Sequence, residues 1–312
     1  MIEIKLPYVD YMAQRWIAMF LSGALILITF VSLAIRGLNY GLDFTGGTVI
    51  ELGYQEPVET AAVSQALEGV GLTGVTVQYF GSNRDILLRI PPSGETSSAA
   101  LSQKVYTALS AAAGGKVEMK RVEFVGPQVG AELTEQGGLA VLYSLIGILI
   151  YVAFRFEWRF SVGAIVATIH DAIICLGVFS IFQLDFDLNV LASILTVIGY
   201  SINDTIVIFD RVRENFRKVR KGTPIQIMNQ SVNETMSRTI MTASTVFLVV
   251  IALYLLGGET LRGFSLVMIV GVIFGTFSSI YVGSAMALML GVSPANLAVP
   301  KKEGVEGSGA QV

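Results

Sequence analysis

Six long apolar stretches recur along the chain, at residues 16–35, 138–154, 162–182, 188–209, 238–256 and 264–290. Each approaches or exceeds the ~20 residues that an α-helix needs to cross roughly 30 Å of hydrocarbon. The first is too long for the apolar region of a signal peptide. The SLAIRG that ends it is a poor cleavage context, so it reads as a retained span. The last is long enough to tilt.

Between the first and second stretches the pattern changes. TVIELGY (48–54) alternates like a strand, and VETAAVSQALEGV (58–70) has helical spacing that Gly71 stops. VTVQYF (75–80) and DILLRI (85–90) read as strands joined by a hairpin-like GSNR. After the loop PPSGETSS (91–98), residues 96–113 form an Ala- and Ser-rich helix ended by Gly114–Gly115. KVEMKRVEF (116–124) is a final strand. The order β-α-β-β-α-β predicts an α+β, ferredoxin-like unit. The chain is therefore expected to be an α-helical polytopic membrane protein with six transmembrane helices and one such domain outside the bilayer. The expected divisions are 1–36 (tail and first span), 37–131 (α+β domain), 132–292 (five-span bundle) and 293–312 (disordered tail).

Composition agrees. Of 312 residues 53% are hydrophobic and 14% charged, against about a quarter charged in soluble domains. Cys175 is the one cysteine, so no intrachain disulfide can form, and its apolar setting suits a small buried hydrophobe. No metal-ligand pattern is present. GGKV (114–117) does not make a Walker loop, since Ser110 stands where the first Gly belongs and Val117 where Ser or Thr belongs. No ATP site is expected, and no enzyme activity.

Lys and Arg near the span ends set the orientation. Lys5 and Arg15 precede the first span, Arg155 and Arg159 join the second to the third, and Lys301 and Lys302 lie in the tail. The fourth-to-fifth connection is richest, with Arg211, Arg213, Arg217, Lys218, Arg220 and Lys221. By contrast QLDFDLN (183–189) has none and GGETLRG (257–263) only Arg262. Both termini and the even-numbered connections are thus expected in the cytoplasm, and the α+β domain outside.

Against this background, polar residues inside the spans stand out. Asp204, in GYSINDTIVIFDR (199–211), is placed roughly 9 Å inside the cytoplasmic end of the fourth span, near Asp210. Arg238 lies about a turn inside the fifth span, at similar depth, on one face with Glu234, Thr242 and Thr245. His170 and Asp171 fall near the middle of the third span. Asn203 and Thr205 flank Asp204 as hydrogen-bonding support. Two readings stay open: a charge pair holding helices together, or a proton path in which Arg238 approaches and leaves Asp204. Gly271, Gly275, Ser279 and Gly283, four apart in the sixth span, form a ladder for close helix approach, within the chain or against a partner.

YGLDFTGGTVIEL (40–52), VGPQVG (125–130), the His-Asp pair, GYSINDTIVIFDRVREN (199–215) and NETMSRTIMTAST (233–245) occur in order over most of the chain. In this the chain resembles the SecD/SecF family of protein-export membrane proteins, within the resistance–nodulation–division superfamily. The resemblance implies one half of a twelve-span unit in the bacterial inner membrane, the other half supplied by SecD. It also implies association with the SecYEG channel, and proton-motive force, with protons the only coupling ion and no cofactor, assisting late movement of a preprotein. Asp204 and Arg238 then belong to the proton path, Asp171 less directly. Asp43, Gly46 and Gly47 in GLDFTGG form a structured exit from the first span. No nucleic-acid role is implied.

Three rivals are testable. Half of a proton-driven lipid or drug exporter is disfavoured by the small outer domain and the six spans. An intramembrane aspartyl protease using Asp171 and Asp204 lacks the Gly-x-Gly-Asp context, since Ile202–Asn203 precede Asp204. A passive scaffold of the translocon would need no titrating carboxylate.

Overall fold

The computed structural model describes residues 7–92, 98–219 and 222–293. Helix α1 (Arg15–Arg36) leads to a short strand β1 (Asn39–Tyr40) and a single helical turn α2 (Leu42–Thr45). Then come β2 (Gly47–Tyr54), α3 (Thr60–Glu68), β3 (Thr76–Phe80), β4 (Ser82–Ile90), α4 (Ser98–Ala112) and β5 (Val117–Val125). The rest is α5 (Pro127–Arg155), α6 (Trp158–Phe182), β6 (Asp185–Phe186), α7 (Leu188–Lys218), α8 (Pro224–Leu256), α9 (Gly258–Phe277), one π-helical turn (Ser278–Gly283) and α10 (Ser284–Met289). Among the described residues six helices are long and apolar enough to cross a membrane. Lys5, Arg220, Lys221, Lys301 and Lys302, most of the 91–98 loop, and the tail expected to be disordered, save Ser293, lie outside the described residues.

Several helices outrun their apolar runs, for local reasons. Helix α5 begins at Pro127, eleven residues before the expected 138, because Gly126 turns the chain and proline suits the first helical position. The helix of the fourth span runs on past Asp210. Helix α7 continues two turns to Lys218, where Arg211–Glu214 and Glu214–Lys218 pairs line its surface. Likewise α8 starts at Pro224, not near 238. Thr223 and Gln226 form a reciprocal capping box there, which satisfies two helix-end donors. The GSNR hairpin is also tighter than expected: β4 already begins at Ser82, and Gly81 alone makes the reversal with φ +79°.

The strands of the 47–125 segment form one antiparallel sheet in the order β3-β4-β2-β5. Side chains alternate across it. Ile50, Leu52, Ile86 and Leu88 on one face bury against Val63 and Leu67 of α3 and Leu101, Val105 and Leu109 of α4. The opposite face, with Val49, Glu51, Leu87, Arg89, Arg121 and Glu123, looks across a cavity of about 550 Å³ toward Asp185, Tyr254, Glu259 and Arg262 at the helix ends.

The GLDFTGG stretch is the joint between the two parts. Strand β1 pairs in parallel with β6, and the Gly41 N–H donates to Phe186 O at 2.7 Å. Asp43 Oδ2 accepts from the Leu188 N–H at 3.0 Å, so a residue of the joint caps the first turn of α7. Asp187 accepts from Val190 N–H in the same turn. Gly46 and Gly47 have φ of +66° and +119°, and a Cβ on Gly47 would lie 2.5 Å from Ile90 O.

Gly47→Ala should therefore destabilise the protein by about 1–3 kcal/mol, read as a lowered Tm of the full chain in detergent. An unchanged Tm would contradict the geometry. A second expectation concerns acid. Lys120 Nζ crosses the bare Gly53 to Asp85 at 2.5 Å, and Ser82 Oγ donates to the same carboxylate at 2.7 Å. Lys120 first, then Ser82, hold the Asp85 carboxyl below the ordinary range. A depressed folded-state pKa contributes stability above the unfolded value, about pH 4, and the contribution fades as pH falls through the folded value. Lys120→Met should cost about 0.2–1 kcal/mol at neutral pH, with the difference from wild type vanishing in acid. Amide exchange of β4 and β5 measures it.

Candidate functional site

The bundle's interior is built where small residues let helices touch. A Cβ on Gly271 would meet Val197 Cγ2 at 2.1 Å, and one on Gly275 would meet Ser201 Cβ at 3.2 Å. Ser279 Oγ lies 2.8 Å from Thr205 Oγ1, and a Cβ on Gly163 would meet Gly283 O at 2.7 Å. The ladder of Gly271, Gly275, Ser279 and Gly283 thus packs α9 and the π turn against α7 and α6 of the same chain. The π turn interrupts the sixth span where Ser278 and Ser279 enter this contact, a local rearrangement of the backbone ladder of the kind found at functional positions.

Asp171 sits at the centre of the contact, fully buried. Its Oδ1 pairs with His170 Nδ1 at 3.0 Å, and its Oδ2 accepts from Ser278 Oγ at 2.7 Å and from Ser201 Oγ. One carboxylate so ties α6, α7 and the π turn together with donors from each. Nothing more reaches it. His170 Nε2 is buried without a partner.

Asp204 lies one turn beyond Ser201 on α7, about 4.5 Å further along the axis. Its environment is opposite in character. It is 3% exposed, yet Oδ2 has no hydrogen-bond partner. Three more hydroxyls of the bundle are likewise buried without a partner: Tyr200 on α7, Thr239 on α8 and Thr276 on α9. The Tyr200 hydroxyl is turned toward Thr242 and Thr276 without closing a hydrogen bond to either. Buried polar atoms left without a partner call for an explanation beyond packing.

Helices α7 and α8 run antiparallel here. Glu234 accepts from Arg211 Nε at 2.5 Å and from Asn215 Nδ2 at 2.7 Å. Seven residues further along each helix, Asp204 comes level with Met241, about a turn from Arg238. Arg238 is close enough for its charge to act on Asp204, but the two form no ion pair. Arg238 and Asn203 are exposed on the outer surface of the bundle. Thr242 is half-buried and bonds back to Arg238 O and Thr239 O, and Thr205 bonds to Ser201 O and Ser279.

The residues that sequence reasoning missed are Ser201 and Ser278, the donors to Asp171, and Tyr200 near Asp204, with Thr276 beside it. Tyr200 and Ser201 precede Asp204 by four and three residues and so share its helical side, a signal the spacing did carry. The cross-helix partners depend on which helices meet.

With this geometry in place, likeness to known proteins becomes informative. Residues 104–293 match the family model for the protein export membrane protein SecD/SecF, C-terminal, and residues 31–58 match the SecD/SecF GG motif. The protein translocase subunit SecF of Vibrio alginolyticus is 49% identical over 297 residues, 94% of this chain and 94% of that one. Its counterpart in Escherichia coli O157:H7 is 46% identical over 300 residues, 95% and 93% of the two chains. The crystal structure of SecDF, a translocon-associated membrane protein from Thermus thermophilus, superposes with a TM-score of 0.80 at 36% identity. The match covers 93% of this chain but 40% of that one, so this chain spans less than half of the solved protein.

The helix contact predicts a compensating pair. Gly271→Ala should lower stability by about 1–3 kcal/mol through overpacking, and Val197→Ala added to it should restore most of the loss. Thermal unfolding in detergent reads both; a variant as stable as wild type would show that α7 and α9 do not meet there.

Proposed function

The chain belongs to the SecD/SecF family of protein-export membrane proteins, and from that premise we propose that it couples proton movement to late steps of preprotein translocation. In this reading it lies in the bacterial inner membrane with both termini in the cytoplasm. Its 47–125 sheet and helices act as a ferredoxin-like extracytoplasmic domain. A SecD chain supplies six further spans, the pair works beside the SecYEG channel, and protons rather than nucleotide drive it.

The observation that carries the reading is the contrast between the two carboxylates. Every oxygen of Asp171 is held by donors, so it has the character of a fixed joint that orients the pathway. Asp204 has an oxygen free, and a proton is the simplest group to fill it. Arg238, near but unpaired, can lower the proton affinity of Asp204 by approaching and raise it by withdrawing. Arg238 and Asn203 are exposed at the depth of the spans, where a charged group facing lipid costs a few kcal/mol. A partner helix covering them removes that cost, which favours pairing with SecD on this side. The same contrast disfavours an aspartyl protease, since the dyad needs two carboxylates that share one proton, and the oxygens of Asp171 are already committed.

The test uses inverted membrane vesicles holding this protein with its SecD partner. Completion of a trapped translocation intermediate is followed with and without a proton gradient. The gradient should accelerate wild type, and Asp204→Asn should abolish that acceleration while the pair still assembles. An Asp204→Asn variant that responds like wild type would leave a passive scaffold as the better reading, and release of cleaved peptide would favour the protease.

A further inference from the structure

Beyond the GLDFTGG joint, the sheet of the outer domain and the bundle meet through few contacts. The cavity of about 550 Å³ keeps much of the open sheet face away from the helix ends, so away from the GLDFTGG joint close packing does not hold that face. Polar pins do. Gly81 lies against the Glu259 carboxylate, and Arg121 Nη1 donates to Thr260 Oγ1 at 3.2 Å. Among the described residues one ion pair joins the domain to the bundle: Arg89 Nη2 to Asp185 Oδ2 at 2.5 Å.

Asp185 is a meeting point. Its Oδ1 accepts from Asn39 Nδ2 at 2.7 Å, and its Oδ2 also accepts from Gln78 Nε2 at 3.4 Å. Arg89 donates in addition from Nη1 to Tyr40 O at 3.1 Å. Three segments thus converge on one carboxylate: the exit from α1, strand β3 and strand β4. Two features make Arg89 directional. It lies in β4, a central strand bonded on both sides to β3 and β2, so a pull on it moves the sheet as a unit. Asp185 lies three residues before Leu188, the first residue of α7, whose first turn Asp43 and Asp187 hold rigid. Asp204 follows on the same unbroken helix.

We propose that Arg89 and Asp185 are positioning residues for energy coupling, the contact through which the outer domain follows the outer end of α7. A change at Asp204 that shifts α7 is then delivered to the sheet through this pair. The proposal rests on the proton reading given above. Either side chain can be altered without touching the domain core, because both are partly exposed and neither lies in it.

The experiment compares Arg89→Ala, Asp185→Asn, Arg89→Lys and Asp204→Asn, each assembled with the SecD partner in inverted vesicles. Completion of a trapped intermediate is measured with and without a proton gradient, beside the amount of assembled pair. Arg89→Ala and Asp185→Asn should keep wild-type completion without the gradient and lose the acceleration that the gradient gives. Arg89→Lys should recover part of it, because an ammonium can still reach the carboxylate. A merely structural role would lower both rates, or the assembled amount, together, and that result overturns the proposal. Full acceleration in Arg89→Ala while Asp204→Asn has lost it would also overturn it and leave the proton reading standing. Full acceleration in Asp204→Asn would remove the proton reading, and this inference with it.

Discussion

Inside a helix bundle at membrane depth, a carboxylate has to be met by donors or by a proton, because water is scarce and an isolated ion costs several kcal/mol. The two buried aspartates of this bundle satisfy that constraint in different ways. Asp171 gathers His170, Ser201 and Ser278, and the small residues of the sixth span are what bring those donors within reach. Gly271 and Gly275 lower α9 onto α7, and the π turn places Ser278 beside the carboxylate. Asp204, one turn beyond Ser201 on α7, has no such retinue. A fully held carboxylate on α6 beside one with a free oxygen on α7 is the arrangement the proposed switch needs.

In the proposed reading, a change at Asp204 reaches the sheet because α7 is continuous and its Leu188 end is gripped. Asp43 and Asp187 cap it, the β1–β6 pair binds the exit of the first span to the turn before it, and Arg89 holds Asp185 from the sheet. The GG pair of GLDFTGG matters here for its backbone rather than its chemistry. Gly46 fits against Val125 O and Pro127, and Gly47 against Ile90 O, so the chain passes from membrane to domain in a space no side chain could share.

Much of this was legible in the sequence. Hydropathy located six spans, and alternation with its glycine stops located the strands and helices of the outer segment to within a few residues. Helices run beyond the apolar spans where polar residues prolong them. The surface ion pairs after Asp210 extend α7, and the Thr223–Gln226 box starts α8 well before its apolar run. That box is itself a sequence signal, hidden by attention to hydropathy. The positions of Asp204 and Asp171 were readable because carboxylates are rare among apolar residues. Their difference was not, since it turns on Ser201 and Ser278 meeting across three helices. Nor could the sequence show that Arg89 and Asp185, nearly a hundred residues apart, converge on one pin.

The most direct measurement is infrared difference spectroscopy of the assembled pair in membranes, following the carbonyl stretch of protonated carboxyl groups as pH is lowered. A band that grows with acid, disappears in Asp204→Asn and survives in Asp171→Asn is the predicted result. A titrating band indifferent to Asp204→Asn would contradict the central claim, because the proton would then reside elsewhere.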